Sequence, residues 1–136
     1  VDAGADFLIT QMFFDNNVLY RFLYKALSCG IHVPVLAGVM PVTNKAQIER
    51  ILKISGTALP PRFLNILDRF GDNPVAMRQA GVAYATEQIV DLLANGVRGV
   101  HIYTMNHPEI AGEIMHNIQY IVEASCDVQR SQRNVG

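Results

Sequence analysis

Short apolar runs alternate with longer stretches of helical periodicity in this chain, and this alternation limits its possible folds more than any other feature. Three runs, residues 7–11, 33–39 and 97–103, are too short for helices and contain β-branched residues. The second run is apolar throughout, as expected of a strand that is covered on both faces. The order strand, helix, strand, helices, strand, helix predicts parallel strands joined by right-handed crossovers.

Capping residues and helix breakers delimit the predicted helices. The residues that can begin them are Asp15, Thr43 or Asn44, Pro61 and Asn73, and the glycines that can end them are Gly30, Gly56 and Gly96. The short helix after Pro61 is an addition to the simple alternation of strands and helices. Residues 1–124 are predicted to form one structural unit, and the polar residues 125–136 are predicted to be a frayed tail.

A parallel sheet of only three strands would expose two long apolar edges, which invites unwanted pairing with other chains. We therefore expect an α/β fold whose sheet closes against further strands, as in a partial (β/α)8 TIM barrel. With 136 residues, half of them apolar, the chain can bury a sizeable core.

Composition excludes several classes of function. Lys and Arg number 11 against 12 Asp and Glu, so no basic surface indicates nucleic acid as a partner. The chain has no apolar stretch of bilayer length and no basic-then-apolar signal at its N-terminus. Cys29 and Cys126 match no metal-binding spacing, and we expect both to be buried thiols. These features predict a soluble cytoplasmic domain without a metal site.

The predicted strands end in polar or aromatic residues, where parallel α/β folds place their reactive groups. Gln11 carries an amide that can donate and accept side by side, as the edge of a heterocycle requires, or it can satisfy a loop backbone group. After the second strand, Gln47 lies three residues beyond Asn44 and can either complete a capping box or contact a substrate. After the third strand, Tyr103 brings a phenol and His107 brings a group that titrates near neutral pH.

The same strand ends closely resemble those of the methylenetetrahydrofolate reductase family. The matching strings are Asp2-Ala3-Gly4-Ala5, Ile9-Thr10-Gln11-Met12-Phe13-Phe14-Asp15, Gly38-Val39-Met40-Pro41-Val42-Thr43-Asn44, Gly81-Val82-Ala83 and His101-Ile102-Tyr103-Thr104-Met105-Asn106. Their order and spacing resemble the family up to about residue 121. The resemblance implies that the chain supplies the last three β/α units, with an extra helix, of a (β/α)8 barrel that holds FAD at the carboxyl ends of its strands.

The resemblance also implies an activity. In this family, NAD(P)H reduces the FAD and leaves, and 5,10-methylenetetrahydrofolate then receives hydride at its methylene carbon to become 5-methyltetrahydrofolate. This step belongs to one-carbon metabolism and serves methionine biosynthesis. The implied co-substrate is NADH or NADPH, and the implied full-length enzyme is a cytoplasmic homo-oligomer.

Carried over position by position, the resemblance implies ligand contacts for individual residues. Gln11, Gln47 and Tyr103 match positions on the folate side of the site. Ala5 and Ile9 match positions that line the flavin.

Two further substrate-side positions depart from the family pattern. Ile51 stands where a bacterial relative has a phenylalanine, and its branched side chain can cover a ring but cannot stack on it. His107 stands where relatives carry an arginine, so anion binding there should be weaker and more sensitive to pH.

The family's catalytic acid, a glutamate on its first strand, has no counterpart in these 136 residues, and neither has its aspartate near the flavin N1 region. We therefore expect that the chain belongs to a longer enzyme, contributes no catalytic residue, and is inactive alone. One alternative is another TIM-barrel enzyme, such as a phosphate-binding aldolase or isomerase, although no Gly-Gly or Gly-Ser phosphate nest follows Val39. The other is a non-catalytic half-barrel that associates with itself through its open edges.

Overall fold

The computed structural model of the protein describes residues 4–55 and 59–135, except for the side chains of residues 54 and 55. Its elements are β1 (Leu8–Met12), α1 (Asn16–Ser28), β2 (Val35–Val39), α2 (Lys45–Ser55), α3 (Pro61–Phe70), α4 (Pro74–Ala94), β3 (Gly99–Ile102) and α5 (Pro108–Val135). The predicted alternation of strands and helices is confirmed, including the short extra helix α3. Asp2 and Ala3 of the family strings, and the predicted helix end at Gly56, lie outside the described residues.

The three strands form one parallel sheet in the order β1-β2-β3, which confirms the α/β class. Leu36 of β2 pairs with Ile9 on one side and with Gly99 on the other. The pairing of β1 with β2 contains one extra residue, because three steps from Ile9 to Met12 are matched by two steps from Leu36 to Gly38. The extra residue produces a β-bulge next to the end of the strand, in which Thr10 and Gln11 lie opposite Ala37.

Local sequence explains where the helices begin. At the start of α1, Asp15 accepts a hydrogen bond from the backbone N–H of Asn17 at 3.0 Å. At the start of α4, Asn73 accepts from the backbone N–H of Ala76 at 3.1 Å. Both side chains satisfy N–H groups that have no partner inside the helix. Pro74 takes the first helical position, where its missing N–H costs nothing.

Two apolar cores hold the helices against the sheet. The helix-side core joins β2 to α4 and α5 and contains Phe13, Leu19, Ala37, Val39, Val82, Ala85, Ile89, Leu92, Val97, Ile110, Ile114 and Ile118. The strand-end core contains Phe14, Met40, Val42, Ile48, Ile51, Phe63 and Met77. Phe63 is only 1% exposed and comes from α3, so the extra helix covers the apolar residues that follow the strands.

The sheet has a second face, on the side away from the helix-side core. Side chains alternate between the two faces along a strand. Because Ala37 belongs to the helix-side core, its neighbours Leu36 and Gly38 lie on the opposite face of β2. Ile9 pairs with Leu36 and therefore shares their side, which we call the inner face. Ile9 is 47% exposed, so the inner face presents apolar surface.

The C-terminal segment differs from its prediction. Residues 125–136 were expected to fray, but α5 continues through Val135. No glycine or proline interrupts the chain between Gly112 and Gly136, so no residue ends the helix earlier. The polar composition of the segment reflects its exposure to solvent and does not prevent helix formation.

Both cysteines are exposed, so the prediction of buried thiols is wrong. Cys29 is the C-cap of α1, at an end of the helix that faces solvent. Cys126 lies in α5 beyond Ile118, the last residue of that helix in the helix-side core.

The edge of the sheet at β1 carries exposed apolar side chains. Phe7 precedes this strand and is 54% exposed, and on α1 the residues Val18 and Phe22 are 53% and 45% exposed. Val18 and Phe22 are one helical turn apart and line a common surface with β1. This surface agrees with the expectation that a three-stranded sheet leaves apolar edges open.

Two glycines inside helices give a matched test of how α4 packs. A Cβ on Gly81 would lie 1.6 Å from the carbonyl oxygen of Val42, whereas a Cβ on Gly112 of α5 would meet no atom within 4 Å. We expect Gly81→Ala to lower the free energy of unfolding by about 3 kcal/mol or more, because neither backbone can yield. We expect Gly112→Ala to raise it by about 0.5–1 kcal/mol through better helix propensity. Urea unfolding followed by circular dichroism measures both, and a Gly81→Ala protein as stable as its parent would contradict this packing.

Candidate functional site

The carboxyl ends of the three parallel strands lie side by side at one edge of the sheet. Gln11 belongs to the end of β1, Gly38 to the end of β2, and Tyr103 follows the last residue of β3. Ligands of parallel α/β folds bind at this edge. We call Thr10, Gln11, Gly38 and Tyr103 the strand-end site.

The Tyr103 side chain spans this site. Its backbone N–H donates to the carbonyl oxygen of Val39 at 2.9 Å and so extends the pairing of β2 with β3. Its ring lies over Gly38, where a Cβ would come within 2.8 Å of ring atom Cε2 and within 2.6 Å of the Thr10 carbonyl oxygen. The hydroxyl donates to that same Thr10 oxygen at 3.0 Å. Only glycine at position 38 leaves room for the tyrosine to reach from the third strand to the first.

Gln11 lies directly beside this contact, and its side chain is exposed. Its amide makes no hydrogen bond to the residues that the structure describes. The alternative in which Gln11 satisfies a loop backbone group is therefore not seen in residues 4–55 and 59–135. Gln11 and Tyr103 are the two predicted site residues that the structure brings together.

Two side chains of α4 anchor the segment that follows Gln11, and the sequence analysis did not predict either. Gln88 is 7% exposed and donates from Nε2 to the carbonyl oxygen of Phe13 at 2.8 Å. The Tyr84 hydroxyl donates to the carbonyl oxygen of Phe14 at 2.5 Å. Burial raises the pKa of Tyr84 above its ordinary value, which keeps this donor protonated. The sequence contains one signal for Gln88, which is its position within the apolar stripe of α4.

Gln47 forms a capping box with Asn44. Its Oε1 accepts from the backbone N–H of Thr43 at 2.8 Å and of Asn44 at 3.3 Å. Its own backbone N–H donates to Oδ1 of Asn44 at 2.9 Å. Of the two uses that the sequence left open, the structure shows the cap, and the contact of Gln47 with a substrate stays a prediction.

Ile51 is a member of the strand-end core and is 8% exposed. Tyr103 packs against the same core. Ile51 therefore supports Tyr103 through the strand-end core, and its predicted contact with a ligand stays a prediction.

His107 faces a carboxylate. Its Nδ1 lies 3.2 Å from Oε1 of Glu109, and both side chains are exposed. The pKa of Glu109 lies below its ordinary value, chiefly because its carboxylate accepts a hydrogen bond from its own backbone N–H, with the neighbouring His107 adding to the effect. A folate carboxylate near His107 would therefore also meet the negative charge of Glu109.

The turn between β3 and α5 contains two residues in the left-handed region, Met105 with φ 49° and Asn106 with φ 66°. The backbone N–H of His107 closes the turn by donating to the Thr104 carbonyl oxygen at 2.9 Å. Positive φ at both central residues is the signature of a type I′ turn, which favours asparagine and glycine. Asn106 suits its position, but Met105 holds an unfavourable conformation two residues after Tyr103.

The two predicted flavin contacts lie at the start of the sheet. Ala5 is exposed and precedes β1, and Ile9 lies on the inner face. Neither side chain belongs to the two cores. Both are thus available to a ligand, and their contact with flavin stays a prediction.

A polar cleft of about 820 Å³ lies apart from the strand-end site, between α1, α3 and α4. In it, the Asp91 carboxylate accepts from Asn16 Nδ2 and from the Tyr20 hydroxyl, each at 2.7 Å. Hydrogen bonding from Asn16, then from Tyr20, lowers the pKa of Asp91, while burial and the Asp91 bond raise the pKa of Tyr20 to about 12. This network ties α1 to α4 across more than 70 residues of sequence, so no local pattern predicted it.

In residues 4–55 and 59–135, no three histidine, cysteine, aspartate or glutamate side chains lie close enough together to hold a metal ion. Among the helices of that same part of the chain, none has the length and hydrophobicity needed to cross a membrane.

The capping box predicts a stability difference between two variants of Gln47. Gln47→Ala removes the acceptor and should lower the free energy of unfolding by about 1 kcal/mol, whereas Gln47→Glu keeps an acceptor oxygen and should change it little at neutral pH. Gln79→Ala, an exposed glutamine of α4, is the matched control. Thermal unfolding of the three variants measures the differences, and equal stability of the alanine and glutamate variants at position 47 would argue against the cap.

The left-handed turn predicts opposite effects of glycine at two exposed methionines. Met105→Gly should raise the free energy of unfolding by about 1 kcal/mol, because glycine adopts positive φ without the steric cost that methionine bears. Met115→Gly, in the exposed part of α5, should lower it by about 1 kcal/mol through loss of helix propensity. Chemical denaturation compares them, and a loss of stability in Met105→Gly would show that the turn is not strained.

Comparison with known proteins gives a consistent family. The family profile described as methylenetetrahydrofolate reductase matches residues 1–119. The chain is 35% identical over 124 residues to methylenetetrahydrofolate reductase (NADH) 1 of Zea mays, covering 91% of this chain and 21% of that protein. It is 31% identical over 118 residues to 5,10-methylenetetrahydrofolate reductase of Escherichia coli, covering 87% of this chain and 40% of that protein.

A third relative is the probable methylenetetrahydrofolate reductase (NADPH) of Caenorhabditis elegans, 33% identical over 118 residues, which cover 86% of this chain and 18% of that protein. The chain thus spans between about a fifth and two fifths of the length of these relatives. The matched residues contain the whole strand-end site. The chain belongs to the methylenetetrahydrofolate reductase family.

Proposed function

We propose that this chain forms the folate-facing part of a flavin-dependent methylenetetrahydrofolate reductase, which converts 5,10-methylenetetrahydrofolate to 5-methyltetrahydrofolate with NADH or NADPH. The observation that carries the proposal is the strand-end site, where Tyr103 bonds to the Thr10 carbonyl oxygen of β1 at 3.0 Å and the next residue, Gln11, is exposed. The names of the relatives include both NADH and NADPH forms, which supports a nicotinamide co-substrate.

The sheet is proposed to be the last three strands of a (β/α)8 barrel. Its two edges are open, and apolar side chains such as Val18 and Phe22 are exposed beside β1. Further strands and helices would cover this surface, which is otherwise costly to expose. In such a barrel the inner face with Ile9 and Gly38 would line the interior, and the strand-end site would lie at its mouth.

On the folate side, Gln11 is proposed to hydrogen-bond to the pterin ring. A glutamine amide offers one donor and one acceptor side by side, which matches a ring edge that bears N–H next to C=O. Tyr103 supplies an aromatic wall, while its hydroxyl is engaged by the Thr10 carbonyl oxygen. Gln47, Ile51 and His107 are proposed to border the same ligand from α2 and from the turn after β3.

On the flavin side, Ala5 and Ile9 are proposed to line the isoalloxazine. An exposed isoleucine on the inner face suits a flat apolar ring. When bound, FAD would accept hydride from the nicotinamide and deliver it to the folate methylene carbon. The protein residues named here bind and orient the two ring systems, and the proton donor is proposed to come from elsewhere in the enzyme. A homo-oligomeric, cytoplasmic enzyme is proposed with it.

Substitution of Gln11 tests the proposal. In the complete flavin-loaded protein that carries this chain, we expect Gln11→Ala to slow flavin reoxidation by 5,10-methylenetetrahydrofolate about 10- to 100-fold, because the pterin loses one or two hydrogen bonds. Flavin reduction by NAD(P)H should change by no more than about twofold, because it involves no pterin edge. Stopped-flow absorbance of the flavin measures each half-reaction separately.

The matched control is Gln119→Ala, an exposed glutamine of α5, which should leave both half-reactions unchanged. Equal losses in the two half-reactions of Gln11→Ala would remove Gln11 from the pterin. A protein that binds no flavin at all would overturn the proposed function.

A second candidate function rests on the open edge at β1. The exposed Phe7, Val18 and Phe22 would also suit a non-catalytic half-barrel that associates with itself. Size-exclusion chromatography combined with light scattering tests this candidate, since a monomer at high concentration contradicts self-association.

A further inference from the structure

The bulge in β1 interrupts the regular pairing of this strand with β2. Between the pairs Ile9–Leu36 and Met12–Gly38, the two residues Thr10 and Gln11 stand opposite Ala37 alone. Bulges of this kind disturb the hydrogen-bond ladder and redirect a side chain, and they are common beside active sites. Gly38 of β2 pairs with Met12 where the regular register resumes.

The Thr10 side chain links the two strands at the bulge. Its Oγ accepts from the Gly38 N–H at 2.9 Å and donates to the Gln11 carbonyl oxygen at 2.9 Å. A hydroxyl has one proton and two lone pairs, so it can make both bonds at once. The Thr10 hydroxyl therefore joins the backbone of Gln11 in β1 to the backbone of Gly38 in β2.

The backbone of Thr10 is also the point where Tyr103 attaches to β1. The tyrosine hydroxyl donates to the Thr10 carbonyl oxygen, over a glycine that has no side chain in the way. Thr10 thus contacts all three parts of the strand-end site through three hydrogen bonds of 2.9–3.0 Å.

We propose that Thr10 is a positioning residue, which holds Gln11 in the bulge of β1 and couples the position of Tyr103 to it. This inference rests on the proposed function, in which the Gln11 amide binds the pterin. Thr10 itself touches no reacting atom, and its effect reaches the ligand only through the Gln11 amide.

Two variants separate the hydroxyl from the shape of the side chain. Thr10→Val removes both side-chain hydrogen bonds and keeps the size, while Thr10→Ser keeps both bonds. In the complete flavin-loaded protein, we expect Thr10→Val to slow flavin reoxidation by 5,10-methylenetetrahydrofolate about tenfold, chiefly because the part-buried hydrogen bond to the Gly38 N–H is lost. Flavin reduction by NAD(P)H should stay within about twofold, and Thr10→Ser should restore reoxidation to within about threefold of the parent. Thr10→Ala, which adds no methyl group beside the Gly38 N–H, answers the same question if the valine variant does not fold.

A double-mutant cycle tests the route of the effect. If Thr10 acts through Gln11, adding Thr10→Val to Gln11→Ala should cause no further loss beyond about twofold. A further tenfold loss, or a Thr10→Val protein as active as its parent, would overturn the inference and leave the role of Gln11 intact. A Gln11→Ala protein with unchanged folate kinetics would instead remove Gln11 from the pterin, and the positioning role with it.

Discussion

The hydrogen bond from the Tyr103 hydroxyl to the Thr10 carbonyl oxygen is the interaction on which the rest of the site depends. It joins the first and third strands, whose residues are 93 positions apart, and it passes over Gly38 of the strand between them. Any side chain at position 38 would displace the tyrosine ring or the β1 backbone. The exposed Gln11 directly follows Thr10, so the position of its backbone depends on residues from all three strands.

Helix α4 supports the same region from the opposite side. Gln88 and Tyr84 bond to the two carbonyl oxygens that follow the bulged strand, and Gly81 allows the helix to touch the backbone of Val42 after β2. Helix α4 therefore holds the segment after β1 by two directional hydrogen bonds to its backbone, and it packs closely against the backbone after β2. A ligand that needs Gln11 in a fixed place benefits from this rigidity, because less ordering remains to be done on binding.

The open edges and the strand-end site have one structural origin. A parallel sheet places its strand ends on one side, but three strands cannot enclose a ligand or cover their own edges. The exposed Ile9, Val18 and Phe22 mark the surface where further structure would complete both the fold and the binding site. The polar cleft around Asp91 serves another purpose, since its hydrogen bonds fix α1 to α4 away from the strand ends.

The sequence by itself determined the order of elements, the parallel direction of the strands and the family, because periodicity, caps such as Asp15 and Asn73, and the strings at the strand ends are local signals. It also placed Gln11 and Tyr103 at strand ends on the same edge of the sheet. The polar composition of residues 125–136 predicted a frayed tail, whereas α5 continues through Val135. Polarity indicates exposure to solvent and not the absence of a helix. Only the tertiary structure decided that Gln47 uses its oxygen in a cap, that Gln88 bonds to Phe13, and that the Thr10 hydroxyl bonds to Gly38 at a bulge. The Gln88 and Thr10 contacts join residues far apart in the chain, and for Gln47 the sequence allowed two uses of one oxygen, so packing made the choice in each case.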